Sequence, residues 1–265
     1  MPKKVLALAG AAAAVLGLAI PAAAQETGTV YVVHGIPDTP VDVYVDGQRA
    51  LDDFAPATTQ GPLQLPAGAR EVTVFPADAA DNSGDPVITA NAELTAGANV
   101  TLVAHLDAEG TPVITPFTND VSAVGAGKAR LVVRHTAAAP AVDVRAGGTP
   151  VISGLTNPNQ EALTVEAGTV SADVVLAGTE TVAIGPADLD LAEGTATIVH
   201  AIGSAEEQTL AVVPLVIQGL HSAPSGVPAG SAADPAPYWL YGIGAIGIAM
   251  IAVGVARPAT GRTRR

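Results

Sequence analysis

Two stretches of the chain, 101 residues apart, decide how it is organised. Residues 32–47 read VVHGIPDTPVDVYVDG, and residues 133–148 read VRHTAAAPAVDVRAGG. In each stretch a His is followed eight residues later by an Asp between two valines, and a Gly comes five residues after that Asp. Self-similarity at a fixed offset indicates repeated structural units. We therefore predict two tandem copies, 27–122 and 128–219, joined by the glycine-containing hinge 125–127.

Apolar and polar residues alternate within each copy. Val41, Val43 and Val45, for example, alternate with Asp42 and Tyr44. Such alternation is typical of strands with one buried face, and clusters of Gly, Pro, Asp and Asn separate the segments. We expect an all-β protein with two tandem immunoglobulin-like β-sandwich domains. The predicted strands are 30–34, 41–45, 63–65, 70–75, 87–93, 99–105, 113–118, 130–134, 142–145, 162–165, 170–176, 196–201 and 209–216.

The first 24 residues have the form of a secretory signal peptide. Lys3 and Lys4 precede an apolar run over 5–20, and three alanines at 22–24 offer a small-residue cleavage site. We expect the segment 1–24 to be removed, so that the mature chain begins near Gln25. A retained N-terminal anchor is the alternative interpretation.

The other end of the sequence predicts one transmembrane helix over 238–256. These 19 residues carry no charge, and at about 1.5 Å of rise per residue they are long enough to cross a bilayer core. Tyr238, Trp239 and Tyr241 lie at its start, where amphipathic rings favour the headgroup region. Arg257 follows its end and begins a basic tail that should remain in the cytoplasm.

The placement of charge agrees with export. The chain has no Cys and a net charge of −13, but the span from Glu26 to Asp234 holds all 25 acidic residues and only six basic ones, a net charge of −19. So acidic a surface argues against nucleic acid as a partner. We expect the protein at the cell membrane, with both copies extracellular, a Pro-rich stalk over 221–237 and a cytoplasmic tail over 257–265.

The stretch 32–47 resembles the signature of the domain of unknown function 4397 family. Residues 133–148 resemble a degraded version of it, without the Pro-Asp pair and the Tyr. The resemblance covers both copies, roughly 190 of the 265 residues. It implies an exported bacterial protein with β-rich domains, often in tandem. It implies no catalytic residues, because the family has no established activity.

The repeated motif also contains the residues that are most suggestive of chemistry. A His beside a carboxylate can serve as a general base with a raised pKa. The structural alternative is that each His hydrogen-bonds across the turn that follows its strand, and this is the interpretation we favour. The repeat-motif residues, which we expect to be structural, are His34, Asp42, Gly47, His135, Asp143 and Gly148.

The sequence favours a non-enzymatic cell-surface protein that serves envelope structure, adhesion or partner binding. Its expected partners are the membrane that anchors it and an extracellular protein or envelope polymer. We expect no cofactor, no metal site and no catalytic residues. The alternative is a ligand-binding module for a glycan or a cation, with the oxygen-rich loop 78–85 as the cation candidate. An enzyme would require His34 or His135 to be functional.

Overall fold

The computed structural model describes residues 26–79 and 81–221. The predicted signal peptide, membrane span and cytoplasmic tail, together with Tyr238, Trp239, Tyr241 and Arg257, lie outside the described residues. All of the predicted stalk except His221 lies outside them as well. Within the two described ranges, no helix has the length and apolar character that crossing a bilayer requires.

The described chain is built from strands, and the all-β prediction is confirmed. The strands of the first half are β1 (Thr27–His34), β2 (Val41–Val45), β3 (Gln48–Phe54), β4 (Thr58–Pro66), β5 (Gly68–Pro76), β6 (Ile88–Leu94), β7 (Asn99–Leu106) and β8 (Pro112–Thr118). Those of the second half are β9 (Lys128–His135), β10 (Val142–Ala146), β11 (Thr149–Leu155), β12 (Gln160–Glu166), β13 (Gly168–Leu176), β14 (Val182–Leu191), β15 (Ala196–Ile202) and β16 (Ala211–Ile217).

Each half contains two four-stranded sheets. In the first half their strand orders are β4-β1-β7-β8 and β3-β2-β5-β6, and in the second half they are β12-β9-β15-β16 and β11-β10-β13-β14. Adding eight to every strand number converts the first pair of sheets into the second, so the same strand order occurs twice. In each half the first strand runs parallel to the seventh, β1 to β7 and β9 to β15. This parallel pair differs from the wholly antiparallel sheets of an immunoglobulin domain.

The two sheets of each half face each other across an aliphatic core. Val32 of β1 packs in one cluster with Val43 of β2 and Val74 of β5, which belong to the opposite sheet. In the second half Leu131 of β9 packs in the same way with Val144 of β10. The first cluster contains 13 buried residues and the second contains nine, so the second half has the smaller core.

Three edge strands, β3, β11 and β14, were not predicted. An edge strand has a neighbour on only one side and is often largely exposed, so its side chains need not alternate in polarity. Asp52 and Asp53 interrupt the apolar pattern of β3, and Gly185 and Pro186 interrupt that of β14. Their local patterns therefore resemble those of loops.

The two halves pack against each other through strands that also carry their cores. Val33, Val103 and Phe117 of the first half form one apolar cluster with Ile202 and Val213 of the second. Val33 and Val103 are completely buried although they alternate with the residues that face their own core. We call this contact the junction. Because both halves fall within one compact unit, the junction makes a single body of the two sandwiches.

Candidate functional site

The repeated histidines fix the loops that follow their strands. The Nε2 of His34, the last residue of β1, lies 2.9 Å from the carbonyl oxygen of Thr39. Its Nδ1 accepts the N–H of Ile36 at 3.4 Å, so Nε2 carries the proton and donates it to Thr39. His135 makes the same two bonds to the loop before β10. Burial lowers the pKa of both rings below 6.5, and both are neutral at pH 7.

The repeated aspartates hold an irregular point in the neighbouring edge strand. The pairing of β2 with β3 and of β10 with β11 shifts register within each hairpin, as at a β-bulge. At that point Asp53 has a φ of 48°, and its N–H donates to Oδ1 of Asp42 at 2.9 Å. In the second half the N–H of Gly154, whose φ is 66°, donates to Oδ1 of Asp143 at 2.7 Å. Backbone hydrogen bonds from Gly178 and Gly154 lower the pKa of Asp143.

The repeated glycines form the tight turns of the same hairpins. Asp46 and Gly47 connect β2 to β3 with φ values of 50° and 76°. Gly147 and Gly148 connect β10 to β11 with φ values of 55° and 80°. A two-residue hairpin loop with two positive φ values is the type I′ turn, which Asp-Gly and Gly-Gly sequences favour. The motif therefore encodes a loop, a bulge and a turn.

The structure does not bring the repeated His and Asp together. Within the described residues the ring of His34 bonds the loop, whereas the carboxylate of Asp42 bonds β3. His135 and Asp143 are separated in the same manner. A general base oriented by a carboxylate would require the two side chains within hydrogen-bond reach of each other. The main-chain contacts account for the repeated spacing without such a pair.

We expect Asp42→Ala to lower the free energy of unfolding by about 1–3 kcal/mol, because the N–H of Asp53 would lose its acceptor. Asp42 itself is completely buried, so water replaces that acceptor poorly. Urea unfolding of the purified protein, followed by circular dichroism, measures the change. Asp53→Gly is the matched control: it keeps the N–H, copies Gly154 and should cost nothing. Equal stability of Asp42→Ala and the wild type would contradict this role.

A buried arginine lies within the junction. Arg134 of β9 has no solvent exposure. Its Nε donates to Oε1 of Gln160 at 2.8 Å, and its Nη2 donates across the junction to Oδ1 of Asn119 at 2.6 Å. Its Nη1 donates to Nε2 of His200 at 3.1 Å. The guanidinium lies over the ring of Phe117, 4.6 Å from its centre, at the distance of a cation–π contact.

The charged side chain of Arg134 is hydrogen-bonded to neutral groups. Among the described residues no carboxylate forms an ion pair with it. Burial lowers the pKa of Arg134 to about 9, so it remains charged at pH 7. Nδ1 of His200 donates to the carbonyl of Val213 at 3.0 Å, which leaves Nε2 free to accept from Arg134. Burial, and then the charge of Arg134, lower the pKa of His200 to about 3.

The described residues of the acidic loop 78–85 form hydrogen bonds within the loop and to the turn between β2 and β3. The backbone N–H of Ser83 donates to Oδ1 of Asp81 at 2.9 Å, and hydrogen bonds from Ser83 lower the pKa of Asp81. The side chain of Asn82 donates to the carbonyl of Gly47 at 3.3 Å. Across residues 26–79 and 81–221, no three His, Asp or Glu side chains are grouped in a way that could hold a metal ion.

A cleft of about 270 Å³ lies where the motif loop of the first half meets the second half. Ile36, Pro37 and Asp38 line it from the loop, and Ile202 and Thr209 line it from the second half. Apolar walls with a few polar groups are typical of surfaces that bind ligands. The cleft depends on the junction, because residues of both halves form it.

Residues 28–145 match a family model described as Domain of unknown function (DUF4397). The chain carries a DUF4397 domain. The match covers the first half from residue 28 onward, β9 and all but the last residue of β10, and thus nearly all of both motif copies. The description of DUF4397 names no activity, so the family adds no functional residue to those found in the structure. No curated protein matches the sequence.

Sequence reasoning missed the polar cluster at the junction, which is formed by Arg134, Asn119, Gln160 and His200. The sequences of β9 and β15 did contain an indication of this cluster. β9 and β15 contain runs of apolar residues without alternation, such as 131–133 and 198–199. A strand that is apolar on both sides is covered on both faces. The polar residues within such strands are therefore candidates for buried interactions.

Proposed function

We propose that this protein, with its DUF4397 domain at residues 28–145, is a non-enzymatic, single-pass cell-surface protein. Its two immunoglobulin-like sandwiches would contact an extracellular protein or an envelope polymer. Each half resembles an immunoglobulin domain in its two facing sheets with loops at their ends, but it contains one parallel pair of strands. The observation that carries the proposal is the junction, because it holds the two sandwiches as one body with a cleft at its rim.

The environment of the histidines supports a non-enzymatic role. His34 and His135 use both ring nitrogens on the main chain of neighbouring loops. His105 and His200 are completely buried and hydrogen-bonded. A general base needs access to the proton that it abstracts. Rings buried and bonded in this way stabilise the fold rather than act on a substrate.

The alternative, a site for a glycan or a cation, has less support. Exposed aromatic rings are the usual platform for sugars, but four of the five Phe and Tyr side chains in the described ranges are buried and Tyr31 is half-buried. The absence of a metal-binding group from the same residues weighs against the cation. A protein or polymer partner at the cleft fits these surfaces better.

Protease treatment of intact cells tests the proposed location. We expect the segment 25–237 to be digested from outside while the cells remain intact, because both sandwiches would lie beyond the membrane. Digestion of lysed cells and of a known cytoplasmic protein provides the controls. Survival of the segment on intact cells, with cleavage only after lysis, would contradict the proposed topology.

The partner is tested on the same cells. An impermeant photo-crosslinker placed at Thr39, an exposed residue of the motif loop, should capture a discrete extracellular protein or polymer. The control position is Asp188, which is exposed on β14. Capture of the same species from both positions would argue against the cleft as the contact surface.

A further inference from the structure

The second half contains an aliphatic cavity between its sheets that is larger than the one in the first half. It measures about 70 Å³, against about 20 Å³ for the first. Leu131 and Val199 line it from one sheet, and Val144, Ile184 and Leu189 line it from the other. Cavities with such walls remain dry and accept apolar molecules.

Two alanines account for part of the extra space. In the first half Val45 of β2 is paired with Val72 of β5, and both line the small cavity. The matching pair in the second half is Ala146 of β10 and Ala172 of β13, and both line the large one. Each alanine lacks two methyl groups that the corresponding valine has, and a core relaxes only partly around missing volume. The difference in cavity volume therefore follows in part from the sequence of the second copy.

The large cavity reaches the borders of both sheets. Val151 of β11 and Val212 of β16 line it, and these two residues are 40% and 39% exposed. β11 and β16 are edge strands of the two opposed sheets. The cavity is thus a slot that is continuous with apolar surface at the edges of the sandwich, rather than a sealed void.

The polar residues of the slot are already paired. Arg145 donates from Nε and Nη2 to the two carboxylate oxygens of Asp173, at 2.8 and 2.6 Å. Its Nη1 also bonds the carboxylate of Glu180. A bidentate pair of this kind satisfies both partners. Recognition in the slot therefore depends on apolar shape rather than on a charged group.

We propose that this slot binds an unbranched aliphatic chain, such as the alkyl or acyl chain of an amphiphile. A core cavity of about 150 Å³ accepts benzene, and a slot of about half that volume fits a narrower, linear chain whose remainder extends into solvent. Removal of methylene groups from water drives the binding. The inference concerns the second half alone and does not depend on the cellular location proposed above.

Photolabelling of the purified full-length protein tests the inference. The probe is n-decanol with a diazirine in the middle of its chain, and the labelled positions are mapped by mass spectrometry. We expect adducts on the slot residues of β10, β13, β14 and β16 and none on the matching strands of the first half. The Ala146→Val, Ala172→Val double variant should be labelled about tenfold less, because the added methyl groups occupy the slot.

The reciprocal variant, Val45→Ala with Val72→Ala, should gain labelling in the first half. This variant keeps the test decisive if the filled variant fails to fold, and circular dichroism reports the folding of both. Equal labelling of the two halves in the wild type, or undiminished labelling of the folded Ala146→Val, Ala172→Val variant, would overturn the inference. Equal labelling of the slot by a cyclohexyl diazirine would overturn the preference for a linear chain.

Discussion

Replacing Arg134 by alanine should lower the free energy of unfolding by about 3–5 kcal/mol. The hydrogen bonds from Arg134 to Gln160, Asn119 and His200 would be lost. Asn119 and His200 are buried, so water replaces the guanidinium poorly there. The ring of Phe117 would face a cavity where the guanidinium had been. Urea unfolding measures the loss. Because Arg134 bonds across the junction, we also expect the single transition to separate into two, one for each half.

Two control variants distinguish the effect of removing a buried side chain from the effect of removing a positive charge. Lys128→Ala removes an exposed cation that pairs with Glu166, and it should cost less than about 1 kcal/mol. Arg134→Lys keeps the charge, but the compact ammonium of lysine cannot contact all three acceptors as the planar guanidinium does. We therefore expect an intermediate loss of stability. A cost for Arg134→Ala as small as that for Lys128→Ala would show that the junction does not depend on the arginine.

The repeated motif shows what sequence spacing can and cannot predict. The period of two predicted central strands such as β2 and β5, because their valines face the core and alternate with residues on the other face. The recurrence of His34 and Asp42 at 101 residues correctly marked them as a unit of the pattern. The sequence also indicated that each His bonds the turn after its strand, as His34 does. The contact of Asp42 was beyond reach, because the N–H that it accepts belongs to an edge strand that was not predicted.

The junction was hidden from sequence reasoning for a different reason. Arg134 and His200 are 66 residues apart, and no periodicity connects them. They lie next to each other because β9 and β15 run parallel at the centre of one sheet. Parallel neighbours are joined through a long crossover, so their register cannot be derived from a short turn as it can in a hairpin. Composition alone suggests a separate surface for each copy.

Acid should destabilise the protein well before most carboxylates are protonated. Burial is the main cause that lowers the pKa of four histidines below 6.5, and these are His34, His105, His135 and His200. Below pH 6.5 the unfolded chain binds protons that the folded chain cannot accept, so the stability present above pH 6.5 is lost as the pH falls. With a folded pKa of about 3, His200 alone should cost about 2 kcal/mol at pH 5.

The pH range of the loss distinguishes protonation of the histidines from protonation of the carboxylates. Asp46 and Asp173 also have lowered pKa values, but their contribution is lost only as the pH falls below about 3.8. A loss measured by urea unfolding between pH 6.5 and 4.5 therefore reports mainly the histidines.

A variant that removes one buried ring makes the assignment specific. In His200→Gln the side-chain oxygen can accept from Arg134 and the amide can donate to Val213, so the fold keeps both bonds without a titrating group. We expect the difference in stability between pH 7.5 and pH 5 to shrink by about 2 kcal/mol. His221→Gln, at an exposed ring, provides the control for the loss of a histidine. An identical slope in His200→Gln and the wild type would mean that the protons are taken up elsewhere, and that the ring beside Arg134 does not control acid stability.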